Sequence, residues 1–283
     1  MIIKIILLSF FILALFIHEM GHVIHYLVNG LRIKCISLGK IVIVNDNKWS
    51  FHRVKGRCRF FVMPEISLDY TQEELRKIIR RNLLAGPIAT LFVIVISFVC
   101  VMCNRCYWSS DYWLRIIFWG TFLINGSILS SCFKDTDLRK GDLITFWNTK
   151  GEEKLFDIYI IQYAVFSKTL NMDHFDNEIP FGELNDVEKE DYAFDMVTLF
   201  LLEVIKKIPY EIKEYVEQMC REMKSGELDL VHYNMRLFLN YEKRKNGTEP
   251  VPLPVIDEGN ALEVLYRVLN IDRLIIERYS YYE

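Results

Sequence analysis

The sequence predicts a mainly α-helical chain. Its expected architecture is a polytopic membrane core of about three transmembrane helices with a small β-strand insertion, followed by a soluble α-helical domain. Three observations carry this expectation. Three apolar segments of near-bilayer length lie in the first half of the 283 residues. Short β-branched runs broken by Gly and Asn separate the first two of them. From Glu152 onward charge returns, and apolar residues recur at helical spacing. Hydrophobic residues make up 52% of the chain and charged residues 25%, and it is their segregation along the chain that is informative. A net charge of -3 argues against a nucleic-acid partner, because a polyanion selects for a basic face.

The expected spans are residues 2–27, 83–103 and 112–133. The first opens with IIKIILLSFFILALFI, which carries only Lys4. No small-x-small cleavage site follows its apolar core, so the segment is expected to be retained as a helix. The second span carries no charge, and the third has Arg115 near its start. Each is near the roughly 20 residues needed to cross about 30 Å of hydrocarbon. Arg76, Lys77, Arg80 and Arg81 precede span two, and Lys134, Arg139 and Lys140 follow span three. The intervening loop has only Arg105. The positive-inside rule then puts the N-terminus outside, and the segment before span two and everything after span three in the cytosol. An integral protein of the cell membrane with a cytosolic C-terminal domain is expected.

Between spans one and two, residues 28–66 contain IKCISL, KIVIV and CRFFVM, punctuated by Gly30, Gly39, Gly56 and Asn45-Asp46-Asn47. This predicts two to four strands, able to hold an extended peptide by strand addition. Residues 69–81 read as a charged amphipathic helix capped by Asp69 or Thr71. The membrane core is expected over 1–150 and the helical domain over 151–283. The latter shows about five amphipathic segments, the last within ALEVLYRVLNIDRLIIERY. It offers a surface for a protein partner. Seven cysteines at irregular spacing argue for free thiols rather than a disulfide framework. Cys100-x-x-Cys103-x-x-Cys106 lacks a fourth ligand, so metal binding is not expected there.

The chemistry concentrates in His18-Glu19-Met20-Gly21-His22. On a helix, residues i and i+4 share a face, so both imidazoles can reach one metal ion. Neutral imidazole is a good Zn²⁺ ligand. Glu19, off the ligand face, is placed to relay a proton from an attacking water to a leaving amine. Three ionisable groups within one turn of an apolar helix are functional candidates by default. His25 roughly shares the His22 face and is expected as a supporting or interfacial residue. Spans one and three run in the same direction, so their C-terminal ends meet one membrane face. There Asp135, Asp137 and Asp142 supply carboxylates at about the depth of His22.

Residues 1–150 resemble the site-2 protease family of intramembrane zinc metallopeptidases. The resemblance rests on HEMGH, on GLRIKCISLG (30–39), on Ala85-Gly86-Pro87 opening span two, and on an Asp-bearing segment after Asn125. It implies cleavage of a transmembrane or membrane-associated peptide near the cytosolic face. His18 and His22 match the histidine ligands and Glu19 the catalytic glutamate. The family's third ligand is an Asp followed by Gly; here the order is Gly141-Asp142-Leu143, without the usual Pro. Asp142 is the expected ligand because an apolar helix, LITFW, follows it. Asp135 and Asp137 are alternatives, and helix length favours Asp135. An alternative function is a catalytically impaired membrane adaptor that recruits partners through its helical domain.

Overall fold

The structure is a computed structural model that describes residues 2–54, 59–67, 69–107, 112–136, 139–149, 155–167, 179, 181–222, 230–247 and a few between 267 and 279. The chain forms two compact units, Met1–Leu31 with Arg76–Glu153, and Arg32–Leu75 with Lys154–Glu283. The described residues are mostly helical, with one small antiparallel sheet of four strands.

The first unit holds α1 (Ile2–Val28), most of α2 (Gln72–Tyr107), α3 (Tyr112–Ser131) and α4 (Asp142–Asn148). Two stretches are long and apolar enough to cross a membrane: Leu8–Val28 and Gln72–Cys103, of 21 and 32 residues. Both leave apolar side chains uncovered, among them Leu8, Ile12 and Leu13 of α1 and Ile88, Phe92 and Val95 of α2. The third expected span forms α3, in which the apolar stretch Ile116–Ser131 is shorter. α3 packs on α1.

The amphipathic helix expected over 69–81 and the span expected over 83–103 are one continuous helix, α2. No breaker separates Arg81 from Leu83, and Pro87 lies inside the helix. Its start is fixed by a reciprocal cap: Glu74 N–H donates to Thr71 Oγ1 (3.3 Å), and Thr71 N–H to Glu74 Oε2 (2.8 Å).

In the second unit, β1 (Arg32–Gly39), β2 (Ile41–Asp46), β3 (Lys48–Arg53) and β4 (Arg59–Glu65) pair in the order β3-β2-β1-β4. The turn residues anticipated from sequence make the hairpins. Gly39 (φ 70°) ends β1 at the turn into β2, and Asn47 (φ 66°) lies between β2 and β3, both in left-handed backbone that Gly and Asn tolerate. Alternation buries Val42 and Val44 and leaves Ile41 outside. β4 packs on α5 (Phe156–Ser167), and Ile66 N–H donates to Ser167 Oγ at 2.9 Å.

The helical core of this unit joins α5 to α6 (Asp186–Leu201), α7 (Tyr210–Glu222) and α8 (Leu230–Lys245). Phe156, Ile160, Phe166, Tyr192, Met196, Leu199 and Phe238 are buried. Asn185 and Glu188 form a full capping box at the start of α6. Asn234 Nδ2 of α8 donates to Thr198 Oγ1 of α6 across this interior, at 3.2 Å. The fifth helical segment expected from sequence, at 261–279, lies largely outside the described residues.

Asp195 is buried in α6, and burial pushes its carboxyl well above the usual range, helped by Asp191. Below the ordinary value of 3.8 the group is protonated whether folded or unfolded, so it costs nothing there. Stability is lost as pH rises from that value towards the raised folded one, because only the unfolded chain ionises. Asp195→Asn is therefore expected to raise the Tm at pH 7, by about 2–4 °C per kcal/mol recovered, and to leave it unchanged near pH 3. Thermal unfolding of the two proteins across that pH range reads the difference.

Candidate metal centre

α1 carries His18, Glu19 and His22 on its second half, with relative exposures of 7%, 6% and 7%. Burying three such groups is costly unless each finds a partner. The partners come from one stripe of α2. Residues 78, 82, 86 and 90 recur every fourth position, so they share a face. Ile78 O accepts from His25 Nε2 (3.1 Å), and Asn82 O from His22 Nδ1 (2.9 Å). Thr90 Oγ1 lies 2.9 Å from His18 Nδ1. The pairs descend along α1 as they ascend along α2, which is an antiparallel register.

Gly86 is the position on that stripe that faces both imidazoles. A Cβ there would reach His22 Nε2 and stand 2.6 Å from His18 Nε2. Gly21 meets the same helix from the other side, where a Cβ would come within 2.8 Å of the Ala89 Cβ. Small residues at both places allow the two helices to approach. Pro87 follows Gly86 inside α2. It cannot donate to the Leu83 carbonyl and its ring crowds that turn. The neighbouring carbonyl, Asn82 O, is the one taken by His22.

The third group arrives through a tight connection after α3. β5 (Asp135–Thr136) pairs with β6 (Arg139–Lys140), and Gly141 N–H closes onto Lys134 O at 2.8 Å. The Leu143 and Ile144 N–H groups then both donate to Cys132 O. A Cβ on Gly141 would collide with the Cys132 carbonyl and come 2.7 Å from Ser131 O. With glycine there, α4 starts against the end of α3, and its first residue is Asp142.

Asp142 Oδ2 lies 3.1 Å from His18 Nε2 and 3.5 Å from His22 Nε2. Four ligands held tetrahedrally at about 2.05 Å stand roughly 3.3 Å apart, so this spacing suits a small divalent ion such as zinc. The hydrogen bonds behind the rings agree. A carbonyl only accepts, so His22 Nδ1 carries the proton and its Nε2 presents a lone pair. The Thr90 hydroxyl can accept from His18 Nδ1 in the same way. Two nitrogen lone pairs and a carboxylate oxygen thus face one another, an arrangement that could hold a cation.

The structure brings together His18, His22 and Asp142 of the residues expected from sequence, and buries Glu19 beside them in α1. The Asp135 side chain and Asp137 lie outside the described residues. His25 bonds the next α2 carbonyl along, in the supporting position anticipated. Asn125 in α3 is buried; its Nδ2 donates to Thr121 O at 2.8 Å, while its Oδ1 has no hydrogen-bond partner among the described residues. Sequence reasoning missed Asn82 and Thr90. For Thr90 the signal was present, since its hydroxyl stands one helical turn from Gly86. No protein-family model, curated protein or solved structure matches this chain. The site is therefore read from its own geometry.

Gly86→Ala is expected to abolish divalent-ion binding by the purified chain, because the added methyl occupies the ligand point. Thr90→Val, which keeps shape and removes the hydroxyl, is expected to weaken binding by about 10–100-fold. Equilibrium dialysis with metal quantification measures both.

Proposed function

We propose that this chain is an intramembrane zinc-dependent endopeptidase of the site-2 protease type. It would cleave a transmembrane or membrane-associated peptide near the cytosolic face. The observation that carries the reading is the convergence of Asp142 Oδ2 on His18 Nε2 and His22 Nε2, two histidines of a helix long and apolar enough to cross a bilayer. Two imidazoles and one carboxylate form the donor set of hydrolytic zinc sites, which keep a further position open. The buried Glu19 completes the set that a peptidase requires.

Zinc, when bound, supplies Lewis acidity, bringing the pKa of a water near 7 and polarising the scissile carbonyl. The protein's own groups do the rest. The Glu19 carboxylate takes a proton from the attacking water as its oxygen bonds the carbonyl carbon. It returns that proton to the amine nitrogen as the C–N bond breaks. Asn82 O and Thr90 Oγ1 hold the imidazoles so that Nε2 of each stays unprotonated. A helical substrate must first unwind locally, because helical hydrogen bonds and side chains shield its carbonyls.

The uncovered apolar faces of α1 and α2 support residence in the bilayer. In this reading α3 is the third span, the basic segments flanking the spans face the cytosol, and so does the C-terminal domain. That domain takes a protein partner.

Glu19→Gln is expected to keep zinc and lose cleavage of a reconstituted membrane peptide by about 10²–10⁴-fold. His18→Ala and Asp142→Asn are expected to lose both zinc and cleavage. A chelator should abolish activity, and added zinc should restore it. A chain whose cellular function survives His18→Ala with His22→Ala would be a membrane adaptor instead, and the peptidase reading would fall.

A further inference from the structure

The donor atoms of the metal centre sit on separate pieces of the fold. His18 and His22 belong to α1, and acceptors on α2 orient their rings. Asp142 belongs to α4, a helix of seven residues. So short a helix does not hold itself, and its place is set by what it packs against. Its start is tied to the end of α3, where the Leu143 and Ile144 N–H groups donate to Cys132 O. Near its end, the Trp147 ring stands 5.7 Å from the ring of Phe133, just past α3. Both contacts fix α4 to α3, and neither ties it to α2.

Arg80 supplies a tie to α2. Its guanidinium carbon lies over the Phe146 ring, 5.2 Å from the centroid. That is within the roughly 6 Å at which the face of a ring attracts a cation. Phe146 follows Asp142 by four residues, so the two share one face of α4. Arg80 stands two residues before Asn82, whose carbonyl accepts from His22. One turn of α2 therefore bears on both kinds of donor. It reaches His22 through a backbone carbonyl, and α4 through the ring one turn beyond Asp142. Arg80 and Phe146 are both half-buried. Partial burial strengthens a contact between guanidinium and ring, because less water competes for the cation.

We propose that Arg80 is a positioning residue of the metal centre: through its contact with Phe146 it holds α4 to α2 and fixes where Asp142 presents its carboxylate. The role rests on the reading of His18, His22 and Asp142 as metal ligands. Ligand distances in such sites hold to within about 0.2 Å. A short helix free to rock on α3 would present the oxygen correctly only part of the time. Arg80 removes that freedom without touching the metal.

The test measures the zinc affinity of the full chain in detergent, by competition with a chromophoric chelator. Arg80→Met and Phe146→Leu are each expected to weaken binding by about three- to tenfold. The double variant should lose no more than the larger single loss, because both changes remove the same contact. Phe146→Tyr keeps the ring face and Arg80→Lys keeps the cation, so each should retain most of the affinity. Lys77→Met, which removes an exposed charge from the same helix, should leave it unchanged. In the cobalt-loaded chain, Arg80→Met should alter the visible absorption, which follows the ligand field rather than the global fold. Wild-type affinity in both Arg80→Met and Phe146→Leu overturns the proposal, as do losses that simply add in the double variant. A wild-type chain that binds no zinc removes the metal centre itself, and the proposal with it.

Discussion

The approach of α1 to α2 at Gly21 and Gly86 is the constraint on which the first unit turns. Any side chain at Gly86 would stand where both imidazoles point. Any at Gly21 would push the helices apart at Ala85 and Ala89. Once the helices are this close, the imidazoles are sealed from water and must be satisfied from within. The stripe on α2 does this with a hydroxyl at Thr90 and backbone carbonyls at Asn82 and Ile78. An acceptor behind the ring decides which nitrogen carries the proton. The register of two helices therefore sets the protonation pattern of the site, and with it the direction in which the lone pairs point.

Asp142 depends on a second close approach. The segment after α3 folds on itself over a two-residue ladder and returns against the Cys132 carbonyl. Only a glycine at 141 lets α4 begin there. In this chain the order is Gly-Asp, where the family resemblance implied Asp-Gly. Glycine before the carboxylate clears the backbone, and the carboxylate at the first turn of α4 is then directed at the two imidazoles.

How much of this could be read in advance follows from where the information sits. His18 and His22 were legible because i, i+4 spacing on an apolar helix leaves little freedom in where the rings go. The strands were legible because Gly39 and Asn47 carry backbone conformations that few residues adopt. Asn82 was not, because its contribution to His22 is a carbonyl, which any residue at 82 would supply. The choice among Asp135, Asp137 and Asp142 was open for a related reason. It turns on a ladder of two residues, too short to leave a hydrophobic period in the sequence. The fusion of two expected helices into α2 was hidden because the polarity changes at Arg81 while the backbone does not break.

The two units also treat buried ionisable groups in opposite ways, and the contrast bears on function. Asp195 and Tyr192 lie in the core of the second unit, and burial raises both, so each is held neutral. They are tolerated singly, at a cost in stability. Asp142 stands differently, because its carboxylate faces two imidazole nitrogens at 3.1 and 3.5 Å. A carboxylate opposite two nitrogen lone pairs gains nothing for the fold by itself, since neutral apolar residues would fill the same space at lower cost. A cation held between the three would compensate it. That geometry, more than the presence of the HEMGH motif, is what gives the site its chemical direction.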